Sequence, residues 1–269
     1  MATRKRPRSS DPIAEHVKEL RAQLEARGDP KRAAQEKRYL KSDLAFLGVG
    51  VPALRKVAKA FVRAQPDLDH ATLLQLTAAL WEHEVHELRA VAVGILELEH
   101  MQLTAADLPA LIGLVRRAKT WALVDWLATK VIGPLSDDPK AHKHIDAWAR
   151  DKDFWVRRAA LLAHHDKLLQ GTGDFAHFAR LAQPMLGERE FFIRKAIGWV
   201  LRSTAKRTPE RTYAFVEKHA RELSGLSFRE AVRALPPAQQ KKLIALREKP
   251  MTSRRPPKTG TPRPRNRPS

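Results

Sequence analysis

The chain has 269 residues, 43% of them hydrophobic and 6% aromatic, with no cysteine and a formal net charge of +20. Such a length and apolar content can bury a full core, as one large domain or as an extended array, which excludes a disordered chain; the absence of cysteine excludes disulfides, thiolate metal sites and thiol catalysis. So large a basic excess, with a pI near 10.6, points to a polyanionic partner, nucleic acid ahead of a membrane surface.

From the N-terminus, residues 1–10 carry four basic and no acidic residues, and residues 249–269 carry seven and none, leaving 39 basic against 30 acidic residues for 11–248. The two ends read as disordered extensions, the second rich in proline, that either attract DNA phosphates or are merely solvated. Residues 11–248 read as the folded domain. No apolar run approaches the roughly 20 residues of a membrane span, and the basic N-terminus lacks the apolar stretch of a secretory signal. A cytoplasmic protein without membrane association is expected.

Between the ends, apolar residues recur at helical spacing, as at Leu20 and Leu24, Val57 and Phe61, Val91 and Ile95, and Leu111, Leu114 and Val115, while alternating polarity is missing. An all-α fold without a sheet follows. Stop and start signals fall at Asp11-Pro12, Asp29-Pro30, Gly48 to Pro52, Gly133-Pro134, Asp138-Pro139, Gly171 to Gly173, Thr208-Pro209 and Pro236-Pro237. They divide the body into roughly a dozen helices. Trp81, Trp121, Trp155 and Trp199 follow at intervals of 40, 34 and 44 residues. Such spacing suggests a superhelical array of HEAT-like helix pairs whose concave wall, lined by the second helix of each pair, forms a groove suited to a DNA duplex.

Three segments bear chemistry. Within the predicted helix 119–128, Trp121 and Asp125 lie four residues apart on one face; Arg158 follows Trp155 by three residues, and Arg202 follows Trp199 by three. The predicted helix 188–206 has an apolar stripe of Phe192, Ile193, Ala196, Ile197, Val200 and Leu201, and a second stripe of Lys195, Trp199, Arg202 and Lys206. A core helix needs only the first. Gly198 weakens this helix by about 1 kcal/mol relative to alanine, so close helix packing or close ligand approach is expected there. Phe191 and Phe192 are adjacent, so one of them is expected to point away from the core.

The segments Glu190 to Arg202, Trp155 to Ala160, Trp121 with Asp125, Arg38-Tyr39 followed by Phe46 to Gly48, and Leu226 to Ala231 together resemble the AlkD alkylpurine DNA glycosylases. The resemblance runs from about residue 12 to 248 and keeps the motif order. It implies a HEAT-like superhelix that holds duplex DNA containing alkylated bases and removes N3- and N7-alkylated purines without flipping the base into a pocket. Carried over by position, Asp125 is the catalytic carboxylate, Trp121 and Trp199 the aromatic walls beside the deoxyribose, and Arg158 their partner at the DNA backbone. Tyr39 matches an aromatic of the same groove. The chain departs from the family pattern in its basic ends and at Thr120, where the family often has another aromatic.

Without the resemblance, Asp125 reads as a surface carboxylate or an ion-pair partner of Arg158, and Trp121 and Trp199 read as core indoles. Trp155, Trp81, Trp126 and Trp148 are assigned to the core. Arg194, Lys195, Arg202, Lys206 and Arg229 are expected to contact DNA collectively, though each alone reads as an ordinary solvated charge. His83 with His86, His142 with His144, and His164-His165 lack the spacing of a zinc site, and the short glycine pairs follow no strand, so neither metal nor cofactor is expected. A noncatalytic protein that binds damaged or branched DNA is the rival class, with a protein-interaction scaffold behind it. A one-sided groove needs no symmetry mate, so a monomer is expected.

Overall fold

A computed structural model describes residues 11–248; the two basic ends, 1–10 and 249–269, lie outside the described residues. Fifteen α-helices occupy them: α1 (Pro12–Glu25), α2 (Pro30–Leu40), α3 (Val51–Ala64), α4 (His70–Glu82), α5 (His86–Leu98), α6 (Leu108–Arg116), α7 (Trp121–Trp126), α8 (Pro139–Trp148), α9 (Phe154–Leu162), α10 (His165–Gln170), α11 (Phe175–Ala182), α12 (Phe191–Ala205), α13 (Pro209–Lys218), α14 (Gly225–Val232) and α15 (Pro237–Glu248). A single bridge between Ala45 and Val85 is the only β pairing among the described residues.

The Asp-Pro signals work as helix starts. Asp11, Asp29 and Asp138 each accept a backbone N–H two residues on, at 3.0, 2.8 and 2.8 Å, while proline fills the first helical position, where no donor is needed. Asp69, Asp153 and Asp174 cap α4, α9 and α11 without a proline. At Gly48 the backbone turns through φ 80°, and a Cβ there would lie 2.1 Å from the Asp29 carbonyl oxygen. The fully buried Glu87 of α5 anchors that loop by accepting the N–H groups of Leu47, Gly48 and Val49. A charged acceptor shared by three backbone donors satisfies groups that no helix can.

Helices α3, α5, α7, α9, α12 and α14 stack side by side as one row, and α4, α6, α8, α11 and α13 back them as a second. Five of the charged links between neighbours span nearly one length: Arg116 with Asp151, Lys119 with Glu84, Lys130 with Asp166, Arg158 with Asp125 and Lys195 with Glu230 are separated by 35, 35, 36, 33 and 35 residues. This period, rather than the tryptophan intervals, marks the array. Trp81 lies on α4 of the second row and is fully buried, so it is not equivalent to Trp121, Trp155 and Trp199 on α7, α9 and α12. No helix among the described residues is long and apolar enough to cross a membrane.

Candidate active site

The segment carrying Trp121 and Asp125 is shorter in its α-form than the expected 119–128. Lys119 has φ 55° and Thr120 is the cap, its hydroxyl accepting the Ala122 N–H at 3.3 Å. After Trp126 the backbone widens into a π-helical stretch, Leu127–Ile132. A 3-10 turn, Gly133–Leu135, follows, with Pro134 in its first positions, where no N–H is needed. The outcome is one α-turn that presents Trp121 outward and Asp125 toward α9.

Arg158 of α9 meets that carboxylate in a fork: Nε donates to Oδ1 at 2.7 Å and Nη2 to Oδ2 at 2.8 Å. Its Nη1 donates to the carbonyl of Phe192 at 2.5 Å, tying α7, α9 and α12 at one point. Arg158 is 3% exposed and Asp125 9%. A guanidinium offers only donors, so the fork favours the ionised form of the carboxyl. Burial pushes the Asp125 carboxyl above the ordinary carboxylate range, against the opposing pull of Arg158.

Aromatic rings surround this pair in an open cleft of about 730 Å³ lined by Tyr39, Trp121, Trp155, Phe191, Phe192 and Trp199. Tyr39, 70% exposed, meets Trp121 edge to face with centroids 5.7 Å apart. Trp155 packs on Phe192 at 4.6 Å, and Trp199 rests on His165 at 4.4 Å. His165 is held in turn by Asp166 at 2.7 Å and by the Ser203 hydroxyl at 2.9 Å. The core assignment of Trp155 is therefore corrected: its ring is half-buried and forms a wall of the cleft. The signal was present, since Trp155 precedes Arg158 by the three residues that also join Trp199 to Arg202. Trp126 is corrected as well. It is half-buried, its indole N–H donates to Glu97 at 2.7 Å, and Arg55 lies over its ring at 4.9 Å. Trp148 is buried as expected.

Of the expected DNA-binding cations, Lys195 and Arg202 line the cleft, and both are held by Glu230 of α14, Lys195 at 3.0 Å. Arg194 turns back to the Glu188 carbonyl at 2.7 Å, while Lys206 and Arg229 are exposed outside the cleft lining. Phe192 is not part of the buried stripe: it is half-buried beneath Trp155, and Phe191 beside it is 55% exposed. The expected helix 188–206 begins at Phe191, capped by Glu190. Gly198 answers to helix packing, because a Cβ there would lie 2.8 Å from the Glu230 Cβ and 3.1 Å from the Ser227 Cα.

The row of stacked helix pairs and the carboxylate–guanidinium centre under aromatic walls define an all-α array with an aromatic-lined, cation-rimmed cleft. The model of the DNA alkylation repair enzyme family matches residues 20–235. The chain belongs to that family. Among solved structures it is similar to one described as a "Predicted DNA alkylation repair enzyme" from Enterococcus faecalis, with 24% identity and a TM-score of 0.70 over 78% of this chain and 98% of that one. That likeness carries the fold. No curated protein matches the chain.

Proposed function

We propose that this DNA alkylation repair enzyme is a monofunctional glycosylase, active as a monomer, that hydrolyses the N-glycosidic bond of N3- or N7-alkylated purines in duplex DNA. The observation that carries the reading is a buried carboxyl group forked by a guanidinium among aromatic rings, with no second acid among the cleft-lining residues. An N3- or N7-alkylated purine is cationic and leaves as a neutral base, so the general acid that ordinary glycosidases use is not needed. What remains is stabilisation of the positive charge growing on the sugar, together with delivery of water.

Asp125 supplies both. Each carboxylate oxygen accepts along two directions, and Arg158 occupies one on each, so one on each stays available to water and to the oxocarbenium-like sugar. Trp121, Trp155 and Trp199 line the same cleft, and an indole face favours a cation through its quadrupole. Arg158 fixes the carboxylate's orientation through its fork and its bond to Phe192.

The test is base release, measured by chromatography, from methylated duplex. Asp125→Asn is expected to lower the single-turnover rate by about 100-fold or more, with circular dichroism used to correct for the folded fraction. Release as fast as that of the parent would exclude the assignment. The second reading, a noncatalytic binder of damaged or branched DNA, is favoured by the fact that both Asp125 oxygens already have a partner. It predicts duplex binding with no base release by the parent from methylated or bulky-alkylated DNA.

A further inference from the structure

The wall of the cleft opposite α12 carries a feature that the chemistry around Asp125 does not use. Among the described residues, two positions other than glycine have a left-handed backbone, Lys41 at φ 49° and Lys119 at φ 55°. Both line the same cleft. They come from separate segments, one closing α2 and the other leading into α7, and they adjoin the two rings of the Tyr39–Trp121 pair. In this region a Cβ crowds the backbone, so glycine or asparagine would close either turn with less strain. Strain confined to a functional cleft calls for a reason at that cleft. What a lysine supplies there, and glycine does not, is a cation at the mouth.

The two walls differ in how free their cations are. On the α12 side, Lys195 and Arg202 share one carboxylate, Glu230. On the Tyr39 side, Lys41 has no ion pair among the described residues. Lys119 pairs with Glu84, yet their side chains are 40% and 63% exposed, and an ion pair so solvated exchanges readily for a phosphate.

We infer that Lys41 and Lys119 form a second DNA-contacting element, a two-lysine rim that takes backbone phosphates of the strand passing on the Tyr39 side of the cleft. Their left-handed turns are kept because they hold the two lysines at that rim. The inference rests on DNA as the partner, and not on which bond is cleaved.

The test uses the full chain and an unmodified labelled duplex, with affinity read by fluorescence anisotropy across a salt series. In the Lys41→Gly/Lys119→Gly protein the Kd is expected to rise about tenfold, and the slope of log affinity against log salt to become shallower by about 0.9 for each phosphate that is no longer neutralised. The thermal midpoint should stay level or rise as the strain is relieved. Lys41→Asn/Lys119→Asn, which keeps the left-handed turns without the charge, should lose the same affinity, and Lys41→Arg/Lys119→Arg should retain it. Parent-like affinity and slope in the asparagine protein would overturn the inference, as would an arginine protein as weak as the glycine one. If the parent itself fails to bind duplex at low salt, this inference and the DNA reading fall together; if it binds and the variants match it, only this inference falls.

Discussion

At the scale of single residues, the buried pair of Asp125 and Arg158 couples chemistry to stability. Taking two charges out of water is costly, and the fork repays that only while both partners are present. Asp125→Asn keeps the shape but turns an amide donor toward a guanidinium that has only donors. The expected loss is about 3–5 kcal/mol, read as a fall in urea midpoint. Replacing both residues, as in Asp125→Leu with Arg158→Met, should cost less than the single change, because no buried charge is left unpaired. A single variant as stable as the parent would show that the pair is solvated and not buried.

At the scale of elements, the seam between α12 and α14 explains a glycine that weakens its own helix. Gly198 lets α14 approach until Ser227 donates to the Arg194 carbonyl at 2.9 Å, and Glu230 reaches between Lys195 and Arg202. In an exposed helix Gly198→Ala would stabilise by about 1 kcal/mol. Here the added methyl meets the stem of Glu230 and the backbone of Ser227, so a net loss of about 1–3 kcal/mol is expected. Thermal unfolding of the alanine variant checks the sign; a raised midpoint would mean that the seam opens freely. The need for a small residue is legible in the sequence, but the partner that imposes it lies about one helix pair away along the chain.

At the scale of the whole molecule, buried neutral histidines make the fold sensitive to acid. Burial lowers His86 to about 4 and His164 to about 3. His86 stacks on Phe46 at 4.8 Å, and His164 meets His177 at 4.8 Å, with Asp174, His142 and Lys167 nearby. Unfolded, each titrates near 6.5, so between the two values the unfolded chain binds more protons and stability rises with pH. The contribution is therefore present above pH 6.5 and is lost as pH falls toward 4 and 3, by on the order of 2 kcal/mol per histidine at pH 5. Urea midpoints at pH 7.5 and 5.0 should differ accordingly, and His164→Leu should narrow the gap. Equal midpoints for the parent would refute it.

What the sequence determined alone is local in origin. Aspartate before proline starts helices, three- and four-residue apolar spacing defines their buried stripes, and a four-residue interval places Trp121 and Asp125 on one turn. Each depends on contacts within a few residues. Only the tertiary structure decided which tryptophans face the cleft. Trp81 is buried in the second row, Trp126 is turned to Glu97, and Trp155 stands as a wall beside Arg158. Helical periodicity gives each ring a direction about its own axis, whereas packing against neighbours far along the chain, Glu97 for Trp126, Phe192 for Trp155 and His165 for Trp199, decides whether that direction meets another helix or open space.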